Sequence, residues 1–255
     1  MPSFQIVLRT AWRDTLSSLN RLRYLAFVVF LIYVADLVVW TFILPDGGLG
    51  KALNTLLSVL APLAVVPYQI AIFRLIILRD VTATYSFTAS TNRVRRFLAW
   101  SVALWTATTL PDLALELFPL PNNLATALIV SFLVAGIFFI LRLVLLFPAI
   151  AVDALGASAS NAFADSSGHL WFIARSMLIA CLPVVVAVVA LIVWIWLAYV
   201  SDIRTPNASQ QFIGITLLGA LGAITATTSA VTVARLYEWI GERVKGVPIE
   251  DWSSH

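Results

Sequence analysis

The chain has 255 residues, of which 61% are hydrophobic and only 11% charged, with a formal net charge of +3. Soluble domains carry about a quarter charged residues, so the composition excludes an ordinary soluble domain and points to an integral membrane protein. The single cysteine, Cys181, excludes an internal disulfide and any metal cage built from cysteines.

Residues 1–23 open the chain as an amphipathic helix. Phe4, Val7, Leu8, Ala11, Trp12, Leu16 and Leu19 follow the three-and-four spacing of one helical face, while Arg9, Arg13, Asp14, Ser17 and Ser18 fall elsewhere. Such a helix can lie in the headgroup plane of a bilayer. The plainer alternative is a helix packed on its own protein. The apolar run that follows begins near Tyr24 and has no small-residue cleavage pattern behind it, so it reads as a retained span and not as a signal peptide.

Six apolar stretches are long enough to be spans: 24–44, 56–78, 97–117, 124–147, 171–199 and 212–239. The third is broken by Pro111-Asp112, which predicts a kink near its outer end. The distribution of positive charge tests the count. With the N-terminus inside, fourteen basic residues are cytoplasmic (Arg9, Arg13, Arg21, Arg23, Arg74, Arg79, Arg93, Arg95, Arg96, Arg142, Arg175, Arg235, Arg243 and Lys245) and only Lys51 and Arg204 are outside. That bias satisfies the positive-inside rule for six spans with both termini cytoplasmic, whereas five spans would strand the 235–245 cluster outside. The expected architecture is therefore an all-α integral membrane protein. An interfacial helix (1–23) leads into a six-helix domain (24–240) and a cytoplasmic tail (241–255), with a further cytoplasmic helix over 149–170, between spans four and five.

A weak repeat accompanies this frame. Each even span ends in arginine-leucine, at Arg74-Leu75, Arg142-Leu143 and Arg235-Leu236. Either three hairpins repeat about an axis along the membrane normal, or arginines gather at cytoplasmic helix ends.

Among intramembrane polar residues, Asp36 stands about twelve residues into the first span. A carboxylate at that depth costs about 2.5–3.5 kcal/mol on insertion scales, so it must be paired, protonated or open to water. Its two readings are a functional carboxylate and a structural hydrogen-bonding group. Arg142 and Arg74 lie nearer the cytoplasmic side, where long side chains can snorkel. In the sixth span Gly222, Ala226, Ala230 and Ala234 recur every four residues, with Gly219 and Ala223 beside them. That ladder of small residues admits a close helix neighbour. The tryptophans, among them Trp12, Trp40, Trp100, Trp171 and Trp239, fall near predicted interfaces as an aromatic belt does.

No motif in the chain assembles a catalytic or metal site. Gly47–Lys51 lacks the first glycine of a phosphate loop, and Gly156–Ser160 lacks the second glycine of a nucleophile elbow. His169 and His255 have no companions at ligand spacing. Asp112 and Glu116 read as a solvated helix end. No cofactor or nucleic-acid partner is implied; the expected partners are the lipid bilayer and other integral membrane subunits.

The stretch Phe139–Arg175 resembles a family of bacterial six-helix membrane proteins called YciC-like, similar to the membrane domain of glycerophosphoryl diester phosphodiesterase. Arg142, Pro148-Ala149, Phe163, Gly168, His169 and Trp171 carry the resemblance, with the Ile72–Leu78 exit of the second span, Tyr85–Phe87 and Arg96-Phe97. The chain departs at Ser167, where such proteins commonly carry arginine, and at His169, commonly asparagine. The resemblance implies a six-helix fold in the bacterial inner membrane and no activity, because the soluble phosphodiesterase domain is missing here. Two functions remain as expectations. The first is a non-enzymatic accessory, scaffold or assembly component of a membrane complex; the second is a small transporter or lipid-handling protein using Asp36 and Arg142 in an internal cavity.

Overall fold

The computed structural model describes residues 2–43, 48–81, 92–117, 122–201 and 208–246. Gly47, Tyr85–Phe87, Arg204 and His255, together with the tail from 247, lie outside the described residues, and the side chains of Lys51, Asp112 and Glu116 are likewise not described. The described residues are helical, without strands. Ten helices are present among them: α1 Phe4–Arg21, α2 Arg23–Val38, α3 Gly48–Ile77, α4 Asn92–Leu117, α5 Asn122–Leu143, α6 Leu146–Ala151, α7 Ala159–Ser166, α8 Leu170–Ser201, α9 Ala208–Ile240 and α10 Glu242–Lys245.

Five helical segments among the described residues are long and apolar enough to cross a membrane: Arg23–Ile43, Leu60–Ile77, Thr126–Leu143, Leu170–Trp194 and Ser209–Ile240. The protein is thus an all-α, membrane-embedded chain. The predicted third span corresponds to α4, which is not among the five. Its 26 residues nevertheless reach about 39 Å at 1.5 Å per residue, enough by length.

The chain divides into two compact units, one of residues 1–86 and 175–235, the other of 87–174 and 236–255. In the first unit α1 runs into α2 with only Leu22 between them. The helical ladder continues across the junction, since the Leu22 N–H donates to the Ser18 carbonyl and the Ala26 N–H to the Leu22 carbonyl. α2 ends in a π-helical turn over Val39–Ile43. α3 carries Pro62 and Pro67 inside. Each removes a ladder N–H and crowds the carbonyl four residues back, a defect that membrane helices accommodate through neighbouring groups. The core of this unit gathers around Val29, Val65, Val66, Tyr68, Ile72 and Val231, all essentially inaccessible.

α1 corrects one expectation. Its buried residues are Val7, Ala11, Asp14, Thr15 and Ser18, so Asp14 and Ser18, which periodicity places off the packing face, belong to it. Leu16, assigned to the apolar face, is 61% exposed. The predicted stripe is therefore split. Val7 and Ala11 pack on the protein, while Leu8, Trp12, Leu16 and Leu19 form a partly open flank.

In the second unit α4 packs on α5 and α6, and α7 on α5 and α10. Phe97 meets Phe147 edge to face at 4.9 Å. The fourth span ends earlier than the predicted 147: α5 stops at Leu143, and α6 starts at Leu146 after a turn. Pro148 accounts for the break, because it cannot donate to the carbonyl of Val144 and its ring crowds that group. The cytoplasmic helix expected over 149–170 is also not continuous. The chain turns at Asp153, whose φ is +54°. It restarts where the Ser158 side chain accepts the Asn161 N–H at 3.2 Å, an N-cap that opens α7.

Candidate functional site

Of the polar residues singled out from the sequence, Arg74 and Arg142 meet acidic and carbonyl partners near helix ends. At the C-terminus of α3, Arg74 donates to Asp80 through Nε at 3.0 Å and Nη2 at 2.5 Å. The bend that brings Asp80 back passes through Arg79 in the left-handed region, φ +58°, and the Asp80 N–H donates to the Arg74 carbonyl. Arg74 therefore closes its own helix end, where a cation also complements the helix dipole.

At the base of α9, Arg235 donates to Oδ2 of Asp14 from Nε at 2.8 Å and from Nη2 at 2.5 Å. Arg13 contributes a second cation to Asp14 at 3.2 Å while remaining mostly exposed. Close by, Thr15 meets Thr228 at 3.5 Å and the Tyr68 hydroxyl meets that of Thr227 at 2.7 Å, both buried. Thr227 and Thr232 also donate to carbonyls four residues back, at 2.7 Å each. These pairs satisfy hydroxyls that would otherwise be stranded in an apolar interior.

In the second unit the arginines converge on residues 153–165. Arg93, in the first turn of α4, pairs with Asp153, and Arg96 donates to the Ala157 carbonyl at 2.5 Å. From the last turn of α5, Arg142 donates to the Phe163 carbonyl at 3.4 Å and lies over the Phe138 ring at 5.1 Å. Its buried Nε has no hydrogen-bond partner among the described residues. The same segment grips the chain after α9. Asp165, 8% exposed, accepts the N–H groups of Arg243 and Val244 at 3.1 and 2.9 Å, capping α10 from outside. Asn161 bridges the carbonyls of Gly156 and Arg243 at 2.9 and 3.4 Å. Gly156 allows this: a Cβ there would lie 2.0 Å from the Arg243 carbonyl oxygen.

Asp36 is half-buried on α2, one turn before the π-helical segment, and takes part in none of the ion pairs among the described residues. It belongs to the first unit and Arg142 to the second. The small-residue ladder of α9 receives α2. A Cβ on Gly219 would fall 2.5 Å from Val34 Cγ2, and one on Gly222 would fall 3.2 Å from the Tyr33 ring. Ala230 and Ala234 are buried, while Ala226 is half-buried.

The sequence shows the arginines but not the carboxylates that meet three of them, Asp14, Asp80 and Asp153, nor the cap that Asp165 provides. Only Arg13–Asp14 and Arg74–Asp80 are close in sequence; Asp153 and Asp165 stand in a stretch without arginine, between Arg142 and Arg175. Chemically, the arrangement neutralises cations and closes helix ends. Among the described residues no three His, Cys, Asp or Glu side chains are grouped to hold a metal ion. In comparisons with protein-family models, curated proteins and solved structures, nothing matches the chain.

Proposed function

We propose that the protein is a non-enzymatic, multi-pass protein of the bacterial inner membrane that serves as an accessory, scaffold or assembly component of a membrane complex. It crosses six times, with α4 as the third span and both termini cytoplasmic. The observation that carries this reading is the consumption of ionisable groups in structural contacts. Asp14 holds Arg235, Asp80 holds Arg74, Asp153 holds Arg93, and Asp165 caps α10. A catalytic site needs perturbed groups aimed at a substrate, and here the carboxylates are turned toward arginines and backbone. The likeness of residues 139–175 to YciC-like proteins supports the same fold and membrane.

Solubilisation of native membranes in mild detergent, followed by affinity isolation of the full chain, tests the role. A larger assembly recovered at fixed stoichiometry supports it; a solitary protein that moves a solute across vesicles overturns it. The topology has its own check. A labelled cysteine at Leu155, which is 96% exposed, reacts with an impermeant reagent only after cells are opened, in a Cys181→Ser background.

One observation favours the second reading, a small transporter or lipid-handling protein. π-Helical turns often accompany functional positions, and Asp36 sits just before one. Under that reading Asp36→Asn abolishes vesicle transport, and unchanged transport removes Asp36 from the mechanism.

A further inference from the structure

α1 has three sides, not two. The first, Val7, Ala11, Asp14, Thr15 and Ser18, is buried in the protein. The second carries Leu8, Trp12, Leu16 and Leu19 at spacings of four, four and three, half-buried except for exposed Leu16. The third carries Arg9 and Arg13, one turn apart and exposed, with Ser17 and Asn20 continuing the same line. An amphipathic helix that served only to pack on its own protein would have polar residues over everything else. This one keeps an apolar flank beside a basic one after packing is complete.

Its position decides what lies against those flanks. α1 enters the spanning helix α2 without a loop, so its C-terminal end stands at the membrane edge. Beyond the junction exposed Arg23 lies over the Tyr24 ring at 5.0 Å, and the large exposed side chains that follow are apolar or amphipathic: Tyr24, Phe27 and Leu31. By helical spacing, with Tyr24 four residues after Asn20, that run continues the line of Arg9, Arg13, Ser17 and Asn20 into the spanning helix, beside the open flank of α1. Tyr24 marks the depth of the headgroups, as interfacial tyrosines do.

We infer that the outer side of α1 is a binding surface for anionic phospholipid, with Arg9 and Arg13 on the headgroup phosphates and Leu8 and Leu16 in the acyl boundary. The apolar flank alone would accept any lipid. The arginines add selectivity for an anionic leaflet, each contributing about 1 kcal/mol near a charged surface. Arg13 also donates from Nε to Asp14 at 3.2 Å, which limits its freedom, while most of its side chain stays exposed. A helix of this composition on a neutral bilayer would lack the second contribution.

The full chain, reconstituted in nanodiscs of phosphatidylcholine with or without phosphatidylglycerol, tests the surface. A polarity-sensitive dye on Leu16→Cys, in a Cys181→Ser background, is expected to be quenched by lipids brominated in the acyl chain and protected from aqueous iodide. Phosphatidylglycerol retained by the protein in native mass spectrometry is expected to fall by roughly 30-fold in Arg9→Gln/Arg13→Gln, the ratio that two such contributions produce. Arg9→Lys/Arg13→Lys keeps most of it. A dye quenched by iodide and not by bromolipid overturns the proposal, because that flank then faces water or a peripheral protein. Unchanged phosphatidylglycerol retention in the glutamine variant overturns it as well. Arg9, Arg13 and Leu16 are exposed and Cys181 is half-buried, and unaltered thermal unfolding of each variant confirms that the comparison is made on a folded protein.

Discussion

Arg235 reaches across 221 positions of sequence to place Nε 2.8 Å from Asp14 Oδ2, joining the base of α9 to α1. Both side chains are close to fully buried. Removing one partner of such a pair leaves an uncompensated charge, at a cost of about 3–5 kcal/mol, whereas replacing both by apolar residues can be neutral. Asp14→Asn is therefore expected to lower the stability of the detergent-solubilised protein by that amount. Asp14→Leu/Arg235→Met is expected to recover most of the loss. Thermal unfolding of the three proteins measures both, and a double variant as unstable as the single one would mean that the charge itself is needed.

The crossing of α2 on α9 rests on two glycines with different tolerances. A Cβ on Gly219 would lie 2.5 Å from Val34 Cγ2 and 3.3 Å from the Val34 backbone nitrogen, so part of the obstacle cannot rotate away. On Gly222 the obstacle is the Tyr33 ring at 3.2 Å, which can yield by a few tenths of an ångström. Gly219→Ala should cost about 1–3 kcal/mol, the usual range for overpacking, and Gly222→Ala less. Adding Val34→Ala to Gly219→Ala removes Cγ2 and should return part of the loss. Unfolding by titrated sodium dodecyl sulfate ranks the four proteins.

The clasp between residues 156–165 and the chain after α9 gives a local readout. Asp165→Ala strands two N–H groups at the start of α10, each worth about 1–3 kcal/mol when buried without a partner. Gly156→Ala drives a Cβ into the Arg243 carbonyl. Either change is expected to speed hydrogen exchange at 241–246 while exchange in α3 stays slow. Equal acceleration in both regions would show that the clasp is part of the global fold and not a local fastening.

How much of this was legible in the sequence follows from the range of each interaction. Apolar runs of membrane length and the glycine–alanine ladder are properties of neighbours along one helix; five of the six runs appear as helices of spanning length and apolarity, and the ladder lies in α9, while the apolar stripe of α1 is split. The partners are not local. Nothing near Asp14 in sequence indicates Arg235, and Leu16 lies off the side of α1 on which that pair is buried. The exit from the fourth span was misplaced for a local reason that could have been read, since Pro148 forbids the ladder bond to Val144. Arg74 and Arg142 stand where snorkelling arginines should, but whether they meet lipid or protein depends on Asp80 and Phe163, which only the folded chain supplies.

Lys245, in α10, makes stability depend on pH. It donates to the Glu238 carbonyl at 2.8 Å and stands over the Tyr237 ring at 5.5 Å. Burial lowers its pKa below the ordinary 10.5, and the carboxylates of Glu238, Glu242 and Asp165 only partly offset that. In the window between the lowered folded value and 10.5, the unfolded chain holds the proton more tightly than the folded one. Unfolding then takes up protons, so stability rises with pH across that window. Below it the ammonium is charged in both states, and the burial penalty is fully present. Lys245→Met removes the titrating group and its penalty together. The variant should unfold at a higher temperature than the parent near neutral pH, and the gap should close as pH approaches 10.5. A gap independent of pH would assign the effect to packing of the methionine against Tyr237 instead of to the proton.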